Sequence, residues 1–177
     1  MTKVQYLGYI IEKRGVHVDI AKIQVIQYWP TPTTITELCI FLGLDNFYRR
    51  FSLGFSLFTW PLSQVTKGGE KENFFWSESQ QKAFIELKHR LYSALVLTLP
   101  YLQQQFEIKT DASDYAIGEV LTQQGHPLAY HSETLSEIVR KYPTYDKGIY
   151  SIAQACRNWK HYILGKETII HTDHRPL

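Results

Sequence analysis

Two stretches of this chain end in the same pair of residues. Phe106-Glu107-Ile108-Lys109-Thr110-Asp111-Ala112-Ser113 alternates Phe106, Ile108 and Thr110 with Glu107, Lys109 and Asp111, the period of a strand. Glu167-Thr168-Ile169-Ile170-His171-Thr172-Asp173-His174 also runs into Thr-Asp. A long helix-like segment separates them. If the second strand returns parallel to the first, both carboxylates reach one end of a sheet whose strands lie about 4.8 Å apart. Asp111 and Asp173 then suit a shared divalent metal. The residues alone equally allow a plainer reading, in which both aspartates cap turns at strand ends.

The elements around these stretches predict an α/β (mixed α+β) chain. Val4 to Ile11 reads as a strand, Glu12 to Gly15 as a turn, and Val16 to Val18 as a short partner. Asp19 is placed to cap a helix over Ile20–Tyr28, which Trp29-Pro30 ends. Thr34 to Glu37 matches a capping box for a second helix, with a break at Gly43 and a short helix over Asp45–Phe51 that exposes Arg49 and Arg50. Thr66 to Asn73 is a polar loop. Ser77 to Gln80 is a second capping box, opening a helix that carries Phe84, Leu87 and Leu91 and ends near Ser93. An apolar connector from Leu95 to Tyr101 leads to a domain boundary near Pro100–Gln105. Strands then follow over Phe106–Asp111, Ile117–Gln123 and Pro127–His131, the last two joined by a turn at Gln124-Gly125. A helix over Tyr145–Leu164 presents Ile149, Ile152, Cys156, Trp159 and Ile163 as its apolar stripe, Gly165 stops it, and Thr168–Thr172 is the last strand. The topology predicted is an antiparallel meander whose first strand takes the last one as a parallel neighbour.

Composition sets bounds. Of 177 residues, 44% are hydrophobic and 20% charged, so the chain has the means to form a core. Nineteen basic against 17 acidic residues leave +2, too little for net charge alone to argue for nucleic acid. The two cysteines, Cys39 and Cys156, make neither a disulfide framework nor a zinc spacing. No apolar run is long enough to span a membrane, and the first residues lack a signal peptide's apolar region. These features predict an intracellular protein, in cytoplasm or nucleus.

The motifs Tyr6-Leu7-Gly8-Tyr9-Ile10-Ile11, Phe41-Leu42-Gly43-Leu44, Phe47-Tyr48-Arg49-Arg50-Phe51, Phe75-Trp76-Ser77, Thr110-Asp111-Ala112-Ser113, Tyr142 to Lys147, Trp159-Lys160-His161-Tyr162 and Thr172-Asp173-His174 occur in an order and spacing that resembles the Pol polyprotein of gypsy-class LTR retrotransposons. The resemblance spans nearly the whole chain. It implies a reverse transcriptase thumb/connection-like region over residues 1–100 and a ribonuclease H-like domain over 101–177 that is incomplete at its C-terminal side. It further implies metal-dependent cleavage of RNA in RNA–DNA hybrids as the family activity, magnesium as the cofactor with manganese as a substitute, and nucleic acid as the partner. The catalytic and metal-binding residues it implies here are Asp111 and Asp173. Arg49, Arg50, Lys147 and His174 are the candidate nucleic-acid contacts by residue type and position, with a metal contact or a plain surface imidazole also open for His174 and a pairing with Asp146 for Lys147.

The departures from the family pattern carry as much information. Where the family has a catalytic Glu after Asp-Lys, this chain has Gly148; a fourth catalytic Asp would fall beyond Leu177. Glu133 stands where a basic residue is usual, and Glu119 where a small one is. Two-metal hydrolysis holds two cations about 3.5–4 Å apart, which takes several carboxylates to offset their repulsion. Two aspartates suit one ion better than two. The chain is therefore expected to be impaired in cleavage, with a silent module that binds nucleic acid or protein, or an unselected remnant, as the alternatives. Other residues carry double readings. Trp159 and Tyr162 fit base stacking or core, and Arg49 and Arg50 fit a phosphate backbone or solvent. An open edge at the last strand invites a protein partner. No membrane and no small-molecule substrate are expected.

Overall fold

A computed structural model describes residues 3–6, 8–13, 15–67, 74–93 and 96–172, without the side chains of 45–47. The chain opens as a three-stranded antiparallel sheet: β1 (Val4–Tyr6), β2 (Tyr9–Glu12) and β3 (Gly15–Val18), with Tyr6 opposite Tyr9 and Glu12 opposite Gly15. The single strand expected over Val4–Ile11 is thus two, folded back on either side of Gly8, whose φ of 81° suits a tight turn. Gly15 permits a second close approach. A Cβ there would collide with the carbonyl oxygen of Leu97, and Val16 and Leu97 exchange backbone hydrogen bonds of 2.8 and 2.9 Å.

Among the described residues, four α-helices follow. In α1 (Ile20–Gln27) the Asp19 carboxylate accepts from Ala21 N, as its capping position requires. Thr34 likewise caps α2 (Ile35–Tyr48) by accepting from Glu37 N. This helix runs through Gly43 without the expected break, because one glycine costs about 1 kcal/mol, which the burial of Leu38 and Phe41 outweighs. A 3₁₀ turn (Arg49–Phe51) leads to α3 (Phe55–Lys67). Ser77 and Gln80 form the predicted capping box at the start of α4 (Glu78–Tyr92). The loop read over Thr66–Asn73 lies outside the described residues beyond Lys67. Phe41, Phe84 and Trp76 interlock, with ring centroids 4.7 Å apart for Phe41–Phe84 and 5.9 Å for Trp76–Phe84.

The second sheet has the order β6-β5-β4-β7, from β4 (Phe106–Ala112), β5 (Ala116–Gln123), β6 (His126–Thr134) and β7 (Thr168–Thr172). β4, β5 and β6 are an antiparallel meander and β7 lies parallel to β4. Gln124 and Gly125 turn the β5–β6 hairpin with φ of 50° and 77°. α5 (Glu137–Arg140), α6 (Thr144–Asn158) and α7 (Lys160–Ile163) connect β6 to β7. The one long helix expected over Tyr145–Leu164 is therefore broken at Trp159. Its buried face is Gly148, Ser151 and Ala155, followed by Trp159, and Ile149 is 49% exposed. Small residues face the sheet because α6 lies close on β4, which leaves no room for branched side chains there.

The first core does not stop at the helices: Tyr130 of β6 is buried in it and Val120 of β5 packs against it. The backbone N–H of Ser56, near the start of α3, donates to Ser132 Oγ of β6 at 2.9 Å in a buried setting. Among the described residues no helix is long and apolar enough to cross a membrane, and Cys39 and Cys156 are free thiols.

Candidate functional site

β4 sorts its side chains by alternation. Phe106, Ile108 and Thr110 are buried, whereas Lys109 and Asp111 are exposed on the opposite face. The buried face takes α6 and α7: Phe106 and Ile108 pack with Ala155 and Trp159, and Tyr162 closes the cluster. At the strand's carboxyl end, Ser151 Oγ donates to the carbonyl oxygen of Asp111 at 3.4 Å. Gly148 is buried one turn nearer the start of α6. The helix thus sets position 148 at the level where β4 ends.

The parallel register pairs Thr110 of β4 with Thr172 of β7, the residues that immediately precede Asp111 and Asp173. Asp173 and His174 themselves lie outside the described residues. Asp111 opens onto a cleft of about 440 Å³ between the sheet and the start of α3, shared with Gly54, Leu57, Arg90, Lys109 and His171. Arg90 donates to Glu86 (2.7 Å) and to the carbonyl of Leu53 (3.2 Å), and its guanidinium lies 3.9 Å from the centre of the Phe58 ring. His171 lies 3.3 Å from Glu107. Of the other described ionisable residues that share the cleft, Arg90, Lys109 and His171 are basic, and the one acid, Glu119, is buried and engaged by His131 and Asn158. Among the described residues no three His, Cys, Asp or Glu side chains converge as a metal site. Two-magnesium hydrolysis takes several carboxylates, and the described residues alone do not assemble them.

Lys147, in the first turn of α6, is buried, and its ammonium donates to Asp114 Oδ1 at 2.8 Å. That bond and the ammonium's charge hold the Asp114 carboxyl below its usual range. Lys147 is therefore turned to the β4–β5 loop, a position its residue type did not reveal. Beside that loop, the Arg140 guanidinium lies over Trp60 (4.8 Å) and Tyr115 (5.3 Å).

Arg49 and Arg50 sit together on the 3₁₀ turn. They line a separate groove with His131, Asn158, Trp159 and Tyr162. Trp159 is only 5% exposed and belongs to the core. Behind His131 lies Glu119, whose side chain is wholly buried. Its Oε2 is 3.2 Å from His131 Nδ1 and accepts from Asn158 Nδ2 at 3.2 Å. Glu119 stood out in the sequence as an acid at a usually small position. Its partners did not, because Glu119 meets His131 only through the β5–β6 register and Asn158 only through the docking of α6.

Comparison with known proteins places this arrangement. The model of the RNase H-like domain found in reverse transcriptase matches residues 76–170. The Pol polyprotein of the Drosophila melanogaster transposon opus is 35% identical over 190 residues, which cover 99% of this chain and 19% of that protein. The gypsy Pol polyprotein of the same species is 33% identical over 185 residues, covering 98% and 18%. The Tf2-3 polyprotein of Schizosaccharomyces pombe is 31% identical over 185 residues, covering 99% and 14%. The chain thus spans a minor part of these relatives. Foamy viral protease–reverse transcriptase, solved in complex with double-stranded DNA, shares the fold, with a TM-score of 0.85, 24% identity, and coverage of 99% of this chain and 37% of that one. The same enzyme solved with an RNA/DNA hybrid also gives 0.85 and 24%, covering 99% and 24%. The chain belongs to the family of RNase H-like domains found in reverse transcriptase, and its relatives are retroelement Pol polyproteins.

Proposed function

We propose that this chain is a nucleic-acid-binding RNase H-like module whose strand-cleaving centre lacks the ligands for two-metal hydrolysis. One observation carries the reading. Gly148 occupies the buried face of α6 at the level where β4 ends, so the helix supplies no carboxylate there, and the one other described acid that shares the cleft of Asp111, Glu119, is buried and engaged by His131 and Asn158. Magnesium or manganese, if bound, would take Asp111 and Asp173 as ligands and would supply charge neutralisation for a phosphate. The binding half of the reading rests on the solved relatives, which hold double-stranded DNA and an RNA/DNA hybrid, and on the basic pair Arg49 and Arg50. His174 is assigned to the same role. In this reading a thumb/connection-like region extends to about residue 100 and the RNase H-like domain follows it.

Binding of a labelled RNA–DNA hybrid, followed against salt, tests the first half. Affinity falls steeply between about 50 and 200 mM salt when phosphates are contacted. No binding at low salt would refute it. For the second half, Gly148→Glu restores a carboxylate and raises magnesium affinity over the wild type in calorimetric titration. Equal affinities would remove Gly148 from the explanation.

A further inference from the structure

The groove beside Arg49 and Arg50 has features that the Asp111 cleft lacks. It measures about 430 Å³ and brings together Arg49, Arg50, His131 and His161, with Trp159 and Tyr162 in its wall. No carboxylate lies within 4 Å of either arginine among the described residues. Arg50 and His161 are exposed and Arg49 is half-buried. The His161 ring stacks on Tyr162 with centroids 4.3 Å apart. Two guanidinium groups beside imidazoles and an aromatic face form an anion site with a stacking surface.

His131 is held in place from below. Its Nδ1 lies 3.2 Å from Glu119 Oε2 and 3.0 Å from Asn158 Nδ2. Glu119 is wholly buried, and its Oε1 has no hydrogen-bond partner among the described residues. A buried carboxylate with an idle oxygen costs stability. Its remaining oxygen serves to fix the imidazole at the groove, which marks a built site rather than a chance cluster of surface charge. The groove also stands apart from Asp111: His131 lies on edge strand β6, two strands from β4.

We propose that this groove binds a single strand of nucleic acid, with Arg49, Arg50 and His131 on its phosphates and the His161–Tyr162 pair stacked against a base. The inference rests on the nucleic-acid reading above and deepens it by naming a strand form and a place. A base free to stack on His161 and Tyr162 must be out of a duplex, and a groove of about 430 Å³ is the size of a single small-ligand site.

Fluorescence anisotropy of the full chain with a labelled single strand of about 12 nucleotides, at several salt concentrations, provides the test. Arg50→Ala weakens binding about tenfold at low salt and lowers the slope of log affinity against log salt by about 0.7. Arg50→Lys keeps the slope. His131→Ala weakens binding in the same direction, and Lys82→Ala, on the exposed face of α4, leaves it unchanged. Arg50 is exposed, so its loss does not unfold the chain. Wild-type affinity and slope in both Arg50→Ala and His131→Ala overturn the groove while leaving hybrid binding standing. A wild type that binds the hybrid but no single strand also overturns the groove alone, and one that binds neither overturns both.

Discussion

Ser132→Ala tests how the helical region is tied to the sheet. Ser132 is 3% exposed, and its hydroxyl accepts from the backbone N–H of Ser56 at 2.9 Å, across 76 residues of sequence. Ser56 is the second residue of α3, where N–H groups have no partner within the helix. The hydroxyl on β6 therefore acts as a cap supplied from another element. Alanine leaves that donor buried and unpaired, at a cost of about 1–2 kcal/mol. Unfolding entropy near 2.1 cal/mol/K per residue gives about 0.37 kcal/mol/K for 177 residues, so the melting temperature falls by about 3–5 °C. Amide exchange at Ser56 rises in parallel. Thermal melts of the two proteins and exchange at this one amide are the assay. Because Gly54 and Leu57 wall the Asp111 cleft, the same change loosens that cleft. An unchanged melting temperature with Ser56 still protected would refute the coupling.

Two further perturbations follow from named contacts. The lowered Asp114 carboxyl contributes stability above the ordinary value of 3.8, and that contribution disappears as pH falls through the folded value. Asp114→Asn is accordingly less stable than the wild type near neutral pH and converges with it in acid; because Asp114 is largely exposed the gap is small, and urea midpoints that stay parallel down to low pH would contradict it. Phe84→Ala removes a ring that is 2% exposed and lies 4.7 Å from that of Phe41, at a cost of about 3–5 kcal/mol, visible as a large drop in the urea midpoint. A loss below about 1 kcal/mol would mean that the core is not packed around this ring.

Much of the fold is legible in local signals. Strand alternation locates β4, the Thr-Asp ending locates β7, and Ser77 with Gln80 marks the start of α4. Each signal depends on residues only a few positions apart. α3 is not legible in this way. It carries Pro61 in its interior and follows Gly54, both signs of a break, and it persists because Phe55 and Leu62 are buried and β6 caps it. The face of α6 is equally hidden. Its branched residues suggest a stripe through Ile149, but proximity to β4 selects Gly148, Ser151 and Ala155 instead. For the candidate site, Asp111 is found at its strand end, as read. Lys147, read as a nucleic-acid contact near a helix start, donates to Asp114, a partner 33 residues away that no local signal announces. The Glu119–His131–Asn158 cluster depends on strand register and helix docking together, which no local pattern encodes.

The proposed function turns on Asp111, a strand-end aspartate, and on Gly148 in place of a helix carboxylate. The direct measurement is gel-resolved cleavage of the RNA strand of an RNA–DNA hybrid by the purified chain, in magnesium and in manganese, beside Asp111→Asn. The account predicts no cleavage by either protein, with the hybrid still bound. Cleavage by the wild type that disappears in Asp111→Asn would contradict it.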